Sequence, residues 1–317
     1  MNVKTACVVF FTLLFTSPIF SKTKTAHLVG DCSNAVEIIP SGIYTFKEAP
    51  IGFGDVQEFR NNSKNSLYYF ENETNSAWFT FVAPTDGNFT FKIMPSNYQA
   101  DFDFLVFEYT DEHFCNDLAN KKIKPVRSNI SRFNPLEMSV TGLSVSAESE
   151  FVHSGKGDHF SKALQVKKGQ RYYLVLNNVY GSETMFKILF SYYTTTTISG
   201  TIRDEETGEP ITDAVVTWEE KSGEVLATTT TDHETGRFKM EVPVQKSKKP
   251  KEYVIAANKK DYFFAESKIL ASFTTPLKPI NLVMPKLKRG LIRKQKSILF
   301  ISSKPIVIRS SLHGLKH

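Results

Sequence analysis

The most varied set of reactive side chains in this chain lies in residues 153–162, HSGKGDHFSK. Serine, histidine, aspartate and lysine are the side chains from which nucleophilic sites are built. The stretch nevertheless lacks the G-x-S-x-G elbow of a catalytic serine, and its G-K-G-D run is not a phosphate-binding loop. No H-E-x-x-H motif occurs, and the histidines are not spaced as zinc ligands. We therefore predict an exposed loop here, a protein that is not an enzyme, and no cofactor.

Asp101 and Asp103 form a second candidate site, because they alternate along a strand-like segment. Ca²⁺ prefers carboxylate and carbonyl oxygens, so both residues are weak calcium candidates. Two carboxylates alone supply too few oxygens to define such a site. More often, such a pair marks the solvated edge at which a loop enters a strand. We therefore assign no metal and no catalytic residue.

The N-terminus predicts export. Residues 1–21 carry one basic residue, Lys4, then an apolar run over residues 6–15, and end at the small residue Ser21. This is the pattern of a secretory signal peptide. The apolar run is shorter than the ~20 residues that a membrane-spanning helix needs. We expect the mature chain to be soluble or peripheral to a membrane.

Removal of the signal peptide leaves two cysteines, Cys32 and Cys115. An even pair of cysteines in an oxidising compartment is compatible with a disulfide bond. Two independent buried thiols are the alternative, and both interpretations stay open at this point.

The composition indicates a large, β-rich protein. A length of 317 residues leaves room for two domains of ordinary size and a tail. The 26 phenylalanines and 12 tyrosines suit the half-buried, pleated surfaces of strands. The formal net charge is +6, and the excess of basic residues is concentrated in residues 245–251 and 286–296, which we interpret as a loop and a linker. We therefore predict no nucleic-acid binding.

Residues 25–195 predict a first β-sandwich domain. Residues 76–95 alternate between apolar and polar side chains on either side of the turn at residues 84–87, which predicts a β-hairpin. Residues 101–109 are apolar on both faces in their middle, which predicts a central strand. Further strands are expected at residues 171–179 and 185–193.

Three motifs in this domain resemble the bacterial pre-peptidase C-terminal (PPC-like) jelly-roll family. The pattern W-x-x-F-x-A-P-x-x-G is matched by residues 78–87, and the acidic D-x-D strand by residues 101–103. The pattern x-x-G-x-x-Y-x-L-x-V is matched by residues 167–176, with Leu176 at the final Val position. The resemblance implies a jelly-roll module that binds or positions other molecules rather than one that catalyses.

Residues 196–287 predict a second sandwich. The stretch from Gly200 to Val216 matches G-x-V-x-D-x-x-T-G-x-P-I-x-x-A-x-V, with Ile202 at the first Val position. This pattern resembles the carboxypeptidase-regulatory-like (CnaB/transthyretin-like) family. The resemblance implies a spacer or binding module whose matched residues serve turns and core, without peptidase activity.

Residues 288–317 are expected to be a basic linker followed by an incomplete domain. Residues 297–317 resemble the beginning of the outer-membrane-protein-A-like (OmpA-like) C-terminal domain, with Phe300 as the aromatic residue of its first strand. In that family, peptidoglycan is held by an Asp and an Arg that come later and have no counterpart here. We expect the N-terminal portion of an OmpA-family cell-envelope protein of Bacteroidetes type. A basic, partly disordered tail is the alternative.

Together these observations predict an all-β chain with a jelly-roll-like sandwich followed by an Ig/transthyretin-like sandwich. The predicted function is that of non-enzymatic binding or spacer modules in the periplasm or at the outer membrane. Other envelope proteins or glycans are the expected partners, and peptidoglycan only if the missing C-terminal domain were present. The alternatives are an accessory targeting region of a secreted hydrolase and a carbohydrate-binding adhesin.

Overall fold

A computed structural model describes residues 28–62, 68–131 and 139–287 of the chain. The described residues divide into two compact units, with the division between Ser191 and Tyr192. The predicted signal peptide (residues 1–21) and the predicted linker and incomplete OmpA-like domain (residues 288–317) lie outside the described residues. No helix in the described ranges is long and apolar enough to cross a membrane.

The regular secondary structure of both units is almost entirely β-strand, which confirms the predicted all-β class with its sandwich-like domains. The elements of the first unit are a short 3-10 helix (Cys32–Asn34), helix α1 (Phe114–Ala119) and the strands β1 (Val36–Glu37), β2 (Gly42–Phe46), β3 (Ser76–Val82), β4 (Gly87–Pro95), β5 (Phe102–Glu108), β6 (Arg127–Asn129), β7 (Thr141–Ser144), β8 (Phe151–Val152), β9 (Phe160–Lys162), β10 (Leu164–Val166), β11 (Arg171–Asn178) and the first part of β12 (Phe186–Asp204).

The strands of the first unit form two sheets. The six-stranded sheet has the order β1-β3-β11-β5-β6-β8, so β5 is an inner strand, as predicted. In the second sheet the first part of β12 pairs with β2 and β4, β7 lies between β4 and β9, and β10 also pairs with β4. The inner faces of the two sheets enclose an aromatic core.

The predicted β-hairpin over residues 76–95 is wrong, because β3 and β4 belong to different sheets. The alternation itself is observed: Phe81 of β3 and Phe89 of β4 both point into the core, with ring centroids 4.9 Å apart. The chain therefore crosses from one sheet to the other at the turn. Period-2 alternation shows that a segment is a strand with one inward face, but it does not identify the neighbouring strand.

Phenylalanine rings fill the space between the two sheets. Phe46 stacks on Phe186 with centroids 4.5 Å apart, and Phe91 meets Phe104 edge-on at 4.9 Å. Each such ring stabilises the fold by roughly 1.5–3 kcal/mol through burial, and aromatic pairs contribute about 0.5–1.5 kcal/mol more. The abundance of phenylalanine in the sequence is thus largely explained by this core.

The outer face of the six-stranded sheet is also buried, under what we call the outer cluster. Strand residues supply its base, and a segment without regular structure covers it; this covering segment comprises residues 47–62 and 68–75. Phe59 of the covering segment stacks on Trp78 at 5.8 Å and on Phe107 at 6.1 Å. The buried members are Cys32, Phe59, Tyr69, Phe70, Trp78, Leu105, Phe107, Phe114, Leu118, Ile130 and Val175.

A disulfide bond joins Cys32 to Cys115, with the two Cα atoms 5.7 Å apart. Cys32 is fully buried within the outer cluster, and Cys115 lies on α1 beside the cluster residue Phe114. The bond therefore ties the N-terminal part of the unit to the helix that helps cover the sheet.

The second unit is a smaller sandwich. The later part of β12 pairs with β15 and β18 in one sheet, and the other sheet has the order β14-β13-β16-β17. Trp218 and Tyr253 stack at 4.7 Å in its core, and Trp218 Nε1 donates to the Pro243 carbonyl at 3.1 Å. The bounds are β13 (Val215–Glu220), β14 (Val225–Thr230), β15 (Arg237–Gln245), β16 (Lys251–Asn258), β17 (Ala265–Ala271) and β18 (Ile280–Met284).

The motif from Gly200 to Val216 occupies turn and core positions, as the resemblance implies. The Asp204 carboxylate accepts hydrogen bonds from the backbone N–H groups of Glu206 and Thr207 and from the Tyr262 hydroxyl, which holds the turn. Gly200 lies where β18 comes closest, because a Cβ there would be only 1.6 Å from the Ile280 carbonyl oxygen.

We expect Gly200→Ala to lower the free energy of unfolding of the second unit by about 3 kcal/mol or more, since the added methyl group forces β12 and β18 apart. Urea unfolding followed by Trp218 fluorescence measures the effect. Ser199→Ala, at an exposed neighbouring position, is the control. Equal stability of the two variants would contradict the close approach of the strands.

We expect the double variant Cys32→Ser/Cys115→Ser to lose about 4.5 kcal/mol of stability, because the bond closes a long loop in the unfolded chain. The two residues are 83 positions apart in the sequence. Urea unfolding with and without reductant measures the difference. The unreduced wild type must be more stable than the double variant, and the reduced wild type must be as stable as the double variant.

Candidate functional site

The candidate site is a cleft of about 460 Å³ on the first unit, beside the outer cluster. Its apolar wall is formed by Tyr69 and Phe70 of the covering segment. Asp101 and Asp103 lie at its opposite side, so the structure brings the two predicted calcium candidates into one cavity. The volume falls within the range of about 300–1,000 Å³ that is typical of small-ligand sites.

Asp103 is placed by the strand register. It lies directly opposite Asn177 on β11, and it shares the outer face of β5 with the cluster residues Leu105 and Phe107. Burial, and then the negative charge of Asp101, raise the pKa of the Asp103 carboxyl well above its usual value. Within the described ranges no group donates a hydrogen bond to this carboxyl. Asp103 therefore has unused hydrogen-bonding capacity.

The amide of Asn177 has a structural role instead. Its Oδ1 atom accepts hydrogen bonds from the Thr74 N–H at 3.1 Å, the Thr74 hydroxyl at 3.1 Å and the Asn75 N–H at 3.0 Å. These bonds attach the end of the covering segment to β11. The Oδ1 atom of the residue opposite Asp103 thus already accepts three hydrogen bonds.

The geometry does not complete a calcium site. Among the residues that the structure describes, no group of three His, Cys, Asp or Glu side chains could hold a metal ion. Asp101 and Asp103 share the cleft with an amide oxygen that already accepts three hydrogen bonds. The two carboxyl groups alone therefore supply fewer oxygens than the six to eight that Ca²⁺ takes. The assignment of calcium to these two residues stays a prediction.

Two of the reactive side chains of residues 153–162, those of His153 and Ser161, lie in different surroundings. The Ser161 hydroxyl is buried in β9 and donates to the Ser128 carbonyl at 2.7 Å. His153 is exposed, and its Nδ1 atom lies 3.1 Å from the Ser154 carbonyl. The prediction of an exposed loop holds for residues 153–158 but is wrong for the last three residues, because they pair with β7 as a strand.

Sequence reasoning missed a pair of buried carboxyl groups, Glu58 and Glu73, below the outer cluster. Glu73 is fully buried and Glu58 is 4% exposed. Burial and the charge of Glu73 raise the pKa of Glu58 to about 8. The segment that carries both residues has no hydrophobic periodicity, so no pattern distinguished them from the many exposed glutamates of the chain.

Comparisons with known proteins do not identify a family. No family model matches the chain, and no curated protein matches it. Three solved structures align over 78% of the chain. They are the group B streptococcus pilus 2b backbone protein (11% identity, 99% of that chain, TM-score 0.21), the major pilin subunit of Bacillus cereus (9%, 70%, 0.21) and the adhesin domain of Epf from Streptococcus pyogenes (9%, 90%, 0.17). TM-scores this low support no conclusion about fold or function.

We expect Asp103→Asn to stabilise the first unit increasingly as the pH rises above the ordinary pKa of aspartate. The folded state holds the proton of Asp103 to a higher pH than the unfolded state does, so its ionisation lowers stability as the pH rises towards the raised pKa. Urea unfolding at a series of pH values measures this, with the exposed Asp55→Asn as control. Parallel pH profiles for the wild type and Asp103→Asn would contradict the burial of this charge.

Proposed function

We propose that this chain is a non-enzymatic, exported cell-envelope protein whose first unit binds a ligand and whose second unit is a spacer. The observation that carries the proposal is the cleft, in which two carboxyl groups lie beside aromatic rings. In residues 153–162, His153 is exposed and the Ser161 hydroxyl is bonded to the Ser128 carbonyl, so these two side chains do not act together as base and nucleophile. The arrangement suits recognition of a ligand better than its conversion.

The chemistry of the cleft favours a glycan. Sugar hydroxyl groups are hydrogen-bond donors, and a ligand hydroxyl would satisfy the Asp103 carboxyl. Tyr180, at the rim of the cleft, is 58% exposed and offers an aromatic face beside these carboxyl groups. An aromatic face with a polar hydroxyl suits a ligand that has one apolar side and one side that forms hydrogen bonds. This supports the carbohydrate-binding adhesin as a specific form of the proposed function.

The spacer role of the second unit is supported by how its motif is used. Gly200 permits close strand packing, Asp204 holds a turn, and Val216 lies in the core. These matched positions are thus engaged in maintaining the sandwich. A rigid sandwich between two parts of a chain separates them by a constant distance.

Membership of the OmpA family remains part of the proposal. Its support is the order of the two sandwiches and the resemblance of residues 297–317, which lie outside the described residues. The peptidoglycan-binding Asp and Arg of that family have no counterpart in this chain. An accessory region of a secreted hydrolase is the rival assignment.

The test is a glycan array with the purified mature chain, followed by titration of any glycan retained. Tyr180→Ala should weaken binding about tenfold, which corresponds to the loss of about 1.4 kcal/mol of ring contact. Tyr98→Ala is a matched control, because Tyr98 is also 58% exposed and does not line the cleft. An array without any bound glycan, or equal effects of the two substitutions, would overturn the assignment of the cleft.

A further inference from the structure

The covering segment is held on the sheet by its own buried polar groups as well as by its aromatic rings. Of the two buried glutamates, Glu73 accepts more hydrogen bonds than Glu58 does. Its carboxylate accepts hydrogen bonds from the Glu58 N–H at 2.8 Å, the Phe59 N–H at 3.2 Å and Trp78 Nε1 at 3.0 Å. The Glu73 N–H also donates to the Phe59 carbonyl at 2.7 Å. One carboxylate thus joins two parts of the covering segment to β3.

Glu58 is bonded less completely. One carboxyl oxygen accepts a hydrogen bond from the Cys32 N–H at 2.8 Å, whereas the other, Oε2, is buried without a partner in the described structure. The two residues lie close together, because the Glu58 N–H donates to the Glu73 carboxylate and the negative charge of Glu73 helps to raise the pKa of Glu58. Two carboxylates cannot bond to each other, because both are only acceptors. A single proton on Glu58 turns that carboxyl into a donor to Glu73 and removes one of two buried like charges.

No described lysine, arginine or histidine forms an ion pair with either carboxyl group. Of the buried titratable groups nearby, Asp31 accepts from the Asp55 and Val56 N–H groups, and the Tyr69 hydroxyl donates to the Ile123 carbonyl. Neither is hydrogen-bonded to the pair. The other titratable or charged groups on the covering segment, on β5, on α1 and on β11 include Arg60, Asp103, Asp117 and Tyr173. Glu73 is the carboxyl whose negative charge helps to raise the pKa of Glu58.

We propose that Glu58 and Glu73 share one proton and form a clasp that holds the covering segment on the outer face of the sheet only while that proton is bound. Loss of the proton leaves two negative charges buried under the outer cluster, without a donor between them. Release of the covering segment, which hydrates both carboxylates, relieves this repulsion. Since Tyr69 and Phe70 of this segment line the cleft, its release also alters the cleft.

The direction of the pH effect follows from the proton balance. The pKa of Glu58 is about 8 in the folded state, so the folded chain keeps a proton that the unfolded chain has already lost above the ordinary pKa of glutamate. The stabilisation by the protonated clasp is fully present below the ordinary pKa. It declines as the pH rises and is lost when the pH passes about 8.

Hydrogen exchange on the full mature chain, read by mass spectrometry, tests the proposal. Amides of residues 52–62 and 68–75 should lose protection by more than about tenfold between about pH 6 and about pH 9.5, after correction for the intrinsic pH dependence of exchange. Strands β13 and β16 of the second unit serve as the internal reference. Equal protection of the covering segment at both pH values, relative to those strands, would overturn the clasp.

Substitutions separate the clasp from a general effect of alkali. Glu58→Gln keeps a donor for Glu73 but has no proton to lose, so the protection of the covering segment should become independent of pH. The exposed Glu183→Gln should behave as the wild type. If Glu58→Gln still shows the loss of protection, the shared proton is not its cause. Infrared spectroscopy of the wild type at neutral pH is a test that requires no variant to fold. The clasp predicts a protonated-carboxyl band in this spectrum. Absence of the band would contradict the proposal.

Discussion

The first unit depends on the burial of both faces of its six-stranded sheet. The inner face packs against the second sheet through phenylalanine rings, and the outer face packs against a segment that has no strand of its own. Trp78 of β3 connects the sheet to this segment, because its ring stacks on Phe59 while its Nε1–H donates to Glu73. A segment without regular structure cannot pair its backbone N–H and C=O groups with a neighbouring strand. Buried side chains must form hydrogen bonds with these groups instead. The carboxyl groups of Glu58 and Glu73 and the amide of Asn177 serve this requirement, and the disulfide adds a covalent link.

The same arrangement places the candidate site. The cleft lies where the covering segment ends and the outer face of the sheet becomes accessible, so its wall is aromatic and its other side carries the carboxyl groups of Asp101 and Asp103. Asp103 continues the row of Leu105 and Phe107 beyond the edge of the cluster. Because of this position, the Asp103 carboxyl is partly desolvated and its pKa is raised. The site and the cluster are two parts of one surface.

Much of the strand content could be predicted, because period-2 alternation is a local property. The inner position of β5 followed from its two apolar faces, and the turn and core roles of Gly200, Asp204 and Val216 followed from their motif. The hairpin over residues 76–95 was wrong because a turn between two alternating segments is compatible with either one sheet or two. The candidate site was predicted only as two alternating aspartates. Its other wall comes from residues that are about 30 positions earlier in the sequence, as Tyr69 illustrates.

The sequence by itself determined the all-β class and the inward faces of several strands, since these depend on side-chain size and alternation along the chain. Only the tertiary structure decided which strands are neighbours, that Cys32 and Cys115 are joined, and that Glu58 and Glu73 meet in the interior. The physical reason is that desolvation and charge coupling depend on distances across the fold. In the sequence Glu58 is an ordinary glutamate. In the structure it lies beside a second carboxyl group, away from water, and that neighbourhood gives it its chemistry.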